Sequence, residues 1–99
     1  MYIVVRKFNK MRDIDEVVKR AEVGVLPILH QAPGLKAYYV CDGGFGTGFS
    51  VSIFESRSAA ATEASAKALM WIKENLSDLY EGEPEVISGD VLTYVLASG

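Results

Sequence analysis

Residues 41 to 50, CDGGFGTGFS, hold four glycines between two runs rich in β-branched and aromatic residues, LKAYYVC (35–41) and FSVSIFE (49–55). Strand-forming runs joined by so short a glycine-rich link pair as an antiparallel hairpin. The glycines at 43, 44, 46 and 48 do not make a nucleotide loop. A dinucleotide fingerprint begun at Gly44 would need glycine at position 49, where Phe49 stands, and no Gly-Lys-Ser/Thr follows. The segment also leads from strand to strand, so no helix N-terminus is present to receive a phosphate. The one apolar residue of GGFGTG (43–48), Phe45, is read as a cover for a pocket mouth or a neighbouring subunit, and so as a candidate ligand contact.

The hairpin constrains the fold because similar units flank it. YIVVRKF (2–8) reads as a strand. After a polar break at 9–12, Asp13 with Glu16 forms a capping-box pattern, followed by an apolar stripe of Ile14, Val17, Val18, Ala21, Val25, Ile28 and Leu29. Pro27 is expected to kink or end the regular part of this helix, and QAPG (31–34) to stop it. Beyond the hairpin, Ser56 or Ser58 can cap a second helix carrying Ala61, Ser65, Ala68, Leu69, Ile72, Leu76 and Leu79, ending near YEGEP (80–84). EVISGDVLTYVLA (85–97) reads as a last strand with a turn or bulge at Ser88 to Asp90. The order predicts one α+β domain over residues 1–99. It is a ferredoxin-like βαββαβ arrangement, with a four-stranded antiparallel sheet and two helices on one face.

A sheet covered on one face should alternate towards polar residues on the other. Three of the four strands are instead apolar on both sides; only the run 49–54 alternates cleanly, Phe49, Val51 and Ile53 against Ser50, Ser52 and Phe54. The open sheet face is therefore expected to pack on a second copy, making a homodimer. Composition agrees, since 49% hydrophobic residues is high for a 99-residue chain, and excess apolar surface is often buried between copies. The net charge of -3, with ten basic residues scattered among thirteen acids, excludes a basic stripe for nucleic acid. A single cysteine, Cys41, excludes an internal disulfide and a multi-cysteine zinc site. No membrane-length apolar run and no secretion signal are visible, which leads to the expectation of a cytoplasmic protein.

LPILHQAPGLKAYYV, SVSIFESRSAAATEASAKALMWIKENL and PEVISGDVLTYVL together resemble the antibiotic biosynthesis monooxygenase-like domains of the dimeric α+β barrel superfamily. The resemblance spans nearly the whole chain. Its most specific parts are the Pro33-Gly34 turn with Leu35, Tyr38 and Tyr39 after it, the strand end FES before an alanine-rich helix, and Trp71 to Leu76. It implies an α+β barrel dimer with a pocket between helices and sheet in each subunit. The superfamily includes oxygenases that work without a cofactor on quinols and aromatic polyketides, and haem-degrading enzymes. The expected function is cofactor-independent oxygenation of a small aromatic or quinol-like substrate. The alternative is a non-catalytic small-molecule binder or stress-related dimer of the same fold. No metal site is expected. A ligand histidine would stand in the second helix of a haem-degrading member, and residues 58–80 contain none.

Candidate catalytic residues are few. His30, the only histidine, suits proton transfer, although a histidine near a helix C-terminus also interacts with free carbonyls. Trp71, near Ala64 and Ala68, suits the wall of an aromatic pocket or, equally, the core. Asn9 follows the first strand, where some relatives place an asparagine that orients oxygen or substrate; it also reads as an ordinary loop residue. Tyr38 and Tyr39 point to opposite faces, so one at most lines a helix-side pocket while the other joins the sheet or dimer interface. Arg6 is expected to reach solvent, or else to bind an anionic group.

Overall fold

The computed structural model describes residues 1–97. β1 (Tyr2–Asn9) is followed by α1 (Ile14–Val23) and α2 (Val25–His30), then β2 (Leu35–Gly44) and β3 (Thr47–Phe54). After these come α3 (Arg57–Ala60), α4 (Glu63–Asn75), a 3-10 turn (Ser77–Leu79) and β4 (Glu81–Asp90). The strands form one antiparallel sheet in the order β2-β3-β1-β4, which is the ferredoxin-like topology. The core lies between helices and sheet, built on Phe8, Val17, Ala21, Val25, Leu29, Ala68, Ile72 and Leu76. Phe8 meets Tyr80 edge to face, ring centres 4.9 Å apart.

Both helical segments are broken: the first at Gly24 where a kink or end was expected at Pro27, the second where one continuous helix was expected. The first ends at Gly24, whose amide still bonds to the Arg20 carbonyl at 2.9 Å, and restarts at Val25. Pro27 then occupies the third position of α2, where no amide donor is needed, so it removes no helical hydrogen bond. In the second, Thr62 interrupts the run by accepting the Ser65 amide at 3.3 Å and starting a new helix. Asp13 caps α1 by accepting the Glu16 amide at 3.2 Å. Glu16 itself turns to Arg20 at 3.0 Å instead of closing the box. Arg20 also reaches Asp78 at 2.9 Å and the Asn75 carbonyl at 2.8 Å, tying α1 to the end of α4 and holding the Asp78 carboxyl below its ordinary pKa.

The last strand is shifted from the expected 85–97. It begins at Glu81 and ends at Asp90, and residues 91–97 carry no strand. Gly82 and Pro84, which stop a helix, are tolerated because β4 is an edge strand, and the register slips between Lys7 and Asn9 beside them. At the hairpin, Phe45 and Gly46 form the two-residue connection with φ values of 53° and 77°. Positive φ at both positions is the signature of a type I′ turn, which matches the twist of the paired strands.

Candidate functional site

β3 sets the chemistry of the site. Gly48, Ser50, Ser52 and Phe54 are buried while Thr47, Phe49, Val51 and Ile53 are half-exposed. The serines therefore face the helices and the large apolar side chains face outward. Ser50 sits opposite Arg6 of β1, and Ser52 lies between Val4 of β1 and Tyr38 of β2. Val4 and Phe8 are buried core residues, so Arg6 between them is on the helix-facing side and not in free solvent as expected. Arg6, Tyr38, Ser50 and Ser52 make a polar patch on an otherwise apolar inner surface.

Two cavities of about 30 Å³ each border this patch, and Tyr38 and Ile72 line both. The first, under α1, reaches Phe8, Val17, Ala21, Val25 and Ser50. The second, under α4, reaches Arg6, Leu29, Ser52, Ser65, Ala68 and Leu69. Each holds about one water molecule, far below the roughly 300 to 1,000 Å³ of ordinary ligand pockets. Burial pushes the Tyr38 phenol pKa up, and a hydrogen bond with Ser50 and the charge of Arg6 partly oppose the shift. Burial pushes Arg6 down, with no carboxylate to counter it. Neither cavity is lined by a histidine or a carboxylate.

The sequence-derived candidates scatter around this site. Tyr38 is at its centre. His30 is exposed at the end of α2, in an open depression that also carries Leu26, Lys36 and Tyr38, so the structure brings these two candidates to one surface. Trp71 packs its indole on Gly24, over the α1–α2 junction, and lines neither cavity. Asn9 donates to Glu85 at 3.2 Å at the far end of β1. Tyr39 is on the outer sheet face, 54% exposed, and Phe45 stands fully exposed at the hairpin tip. Ser50 and Ser52 were missed as site residues. Their signal was the clean alternation of 49–54, once the buried side is known to be the hydroxyl side.

Among the described residues no group of His, Cys, Asp and Glu could hold a metal, and no helix is long and apolar enough to cross a membrane. With His30 outside both cavities and no other imidazole in the chain, the inner surface does not fit a haem held by histidine.

No protein-family model matches the chain, and no curated protein is significantly similar to it in sequence. Solved structures do match. A monooxygenase from Streptomyces coelicolor in complex with nanaomycin D superposes with a TM-score of 0.79 at 20% identity, covering 98% of this chain and 92% of that one. An antibiotic biosynthesis monooxygenase gives 0.65 at 16% identity, covering 94% and 100%. A variant of MhuD with two manganese protoporphyrin IX molecules per active site gives 0.72 at 13%, covering 98% and 100%. Identities this low speak to architecture, and the architecture is unambiguous: the chain has the fold of the antibiotic biosynthesis monooxygenase-like domains.

Proposed function

We propose that the chain binds a small flat aromatic between helices and sheet and oxidises it with dioxygen, without a cofactor. The observation that carries this reading is the inverted β3, which places two buried hydroxyls beside Tyr38 and Arg6 in a surface that is otherwise mostly apolar. That combination suits a ligand with an apolar body and a few edge oxygens. Nanaomycin D in the Streptomyces monooxygenase is a ligand taken by the same fold. For a phenol with a free para C–H, the balanced reaction is phenol plus dioxygen to para-quinone plus water. It requires loss of the phenolic proton so that an electron-rich anion meets oxygen in a dry cavity. Tyr38, Ser50 and Ser52 hold the substrate oxygens, and His30, which shares a surface depression with Tyr38, exchanges the proton with solvent. Trp71 acts from behind, by fixing the α1–α2 junction. Asn9, Tyr39 and Phe45 have no role at the reacting atoms in this arrangement.

Each cavity holds about one water molecule, so admitting a ring requires the helix layer to lift from the sheet. The outer sheet face carries Ile3, Val5, Ala37, Phe49, Val51, Ile53 and Ile87, and packing on a second copy would bury them.

Oxygen consumption with a panel of phenols and naphthols that carry a free para C–H, in metal-free buffer, tests the reaction. Uptake is expected from the wild type and at least tenfold less from Tyr38→Phe, on the scale of removing a positioned proton-handling group. No uptake with any member of the panel would refute oxygenation. The rival reading, a binder with no reaction, is favoured by one observation: no histidine or carboxylate lines the cavities to act as base. It predicts saturable binding of the same compounds without uptake.

A further inference from the structure

The chain has four arginines, and three of them are paired. Arg12 meets Glu81 at 3.2 Å, Arg20 meets Glu16 and Asp78 at 3.0 and 2.9 Å, and Arg57 meets Asp90 at 3.5 Å while lying 5.4 Å over the Tyr2 ring. Arg6 alone has no carboxylate partner among the described residues. It is also the one placed on the helix-facing side of the sheet, lining the cavity under α4. Its polar neighbours on this face, Tyr38, Ser50 and Ser52, carry hydroxyls and no carboxylate, while farther along the Tyr2 hydroxyl donates to Ser88 Oγ at 3.0 Å and Asp90 takes Arg57. A partly desolvated guanidinium without a counter-ion is unfavourable in the empty protein. Its planar donor fork is suited to an oxyanion.

The surroundings give that anion a shape. On one side, Arg6 is registered with buried Ser50; on the other, with Val86 of β4, which is 56% exposed. The helix layer therefore covers the sheet up to Arg6 and stops short of β4, so the guanidinium stands at the boundary between cavity and solvent. Beyond it on the cavity side lie Leu29, Tyr38, Ala68 and Ile72.

Resting on the reading of this cavity as the ligand site, we infer that Arg6 anchors an aromatic oxyanion, a carboxylate or an ionised phenol, at the edge of a flat ring that inserts towards Tyr38, Ile72 and Ala68. The charged edge stays at the solvent boundary while the ring is enclosed, so the site selects aromatic monoanions over neutral compounds of the same shape.

Calorimetric titration of the full chain with 2-naphthoate and with its neutral isostere 2-naphthamide tests the inference. The naphthoate is expected to bind at least tenfold more tightly, about 1.4 kcal/mol. Arg6→Gln is expected to bring the two within threefold, while Arg6→Lys keeps part of the preference because it keeps charge without the fork. A third probe, 4-nitro-1-naphthol ionised at about pH 8, separates the sources: the anion that loses more affinity in Arg6→Gln is the class recognised. The ligand-free Arg6→Gln protein should melt at the same temperature as the wild type or higher, because an unpaired, partly buried charge has been removed. Equal affinity for naphthoate and naphthamide, undiminished naphthoate binding by Arg6→Gln, or a clear drop in its melting temperature would each overturn the role of Arg6. The cavity itself is checked separately by Ala68→Trp, which fills the space under α4. Loss of both naphthyl ligands in that variant upholds the location, whereas retained binding, or no binding of either compound by the wild type, refutes the cavity reading.

Discussion

Gly24 offers a sharp test of how the helix layer is held. It has an ordinary negative φ of -103°, so its backbone does not require glycine. What requires glycine is Trp71, because a Cβ built at position 24 would land on the indole atoms Cζ2 and Cε2, well inside van der Waals contact. Propensity alone favours Gly24→Ala by up to about 1 kcal/mol at a helix junction. Overpacking of this severity belongs at the upper end of the usual range, about 2 to 3 kcal/mol, since the indole must leave its seat or the junction must separate from α4. The net expectation is destabilisation of about 1 to 2 kcal/mol, or a fall in melting temperature of roughly 4 to 16 °C for a domain of this size. Trp71→Ala is destabilising too, through lost burial. In the Gly24→Ala, Trp71→Ala pair, however, the methyl group enters vacated space, so the double mutant should be more stable than the sum of the singles predicts. Chemical denaturation of the four proteins gives the coupling, expected at about 1 kcal/mol or more. A Gly24→Ala protein as stable as the wild type, or coupling within error of zero, would refute the view that the indole clamps this junction.

Phe45 holds a bulky side chain in the left-handed region at φ 53°, fully exposed, in a position where type I′ turns prefer Asn or Gly. Phe45→Asn should stabilise the protein by about 1 kcal/mol in thermal denaturation; a loss of stability would show that the ring makes a contact absent from the single chain. The wild type should scatter light as a dimer at micromolar concentration. A chain ending at Asp90 should dissociate more readily, because it lacks exposed Leu92, Tyr94, Val95 and Leu96; a wild-type mass of one 10.8 kDa chain would refute the dimer.

The topology was legible because it rests on coarse signals: periods of two and of about 3.6, and a glycine-rich link too short for anything but a hairpin. What was not legible depended on context. The alternation in 49–54 has a visible phase, but which side is buried depends on where the helices pack, and the natural guess places Phe49, Val51 and Ile53 inside. Thr62 looks like a tolerable helix residue until its hydroxyl is seen taking the Ser65 amide. Pro84 argues against a strand in general but not on an edge. The C-terminal run VLTYVLA has strand composition, yet residues 91–97 carry no strand, and the ladder ends with the Val91 amide donating to the Met1 carbonyl at 2.9 Å. The side that Arg6 faces was open for the same reason, between solvent and an anionic group. A lone charge among apolar residues is usually solvent-bound, and only the burial of Val4 and Phe8 on either side shows which way it faces.

The two faces of β3 explain one another. Placing serines inward gives up core burial worth roughly 1.5 to 3 kcal/mol for each large aliphatic side chain that could have stood there. The outward Phe49, Val51 and Ile53 can recover a comparable amount, but only if something covers them. A single chain therefore carries its polar, partly desolvated surface inside and its adhesive surface outside, the reverse of what an isolated domain would favour. The arrangement becomes favourable when the outer face is buried by association, which leaves the inner face free to be specialised for a ligand. On this view dimerisation and ligand binding are linked through one strand. In a dimer, the stability that the Arg6, Ser50 and Ser52 surface withholds from the core would be supplied at the interface, and an unassociated chain would be the weaker scaffold for the site.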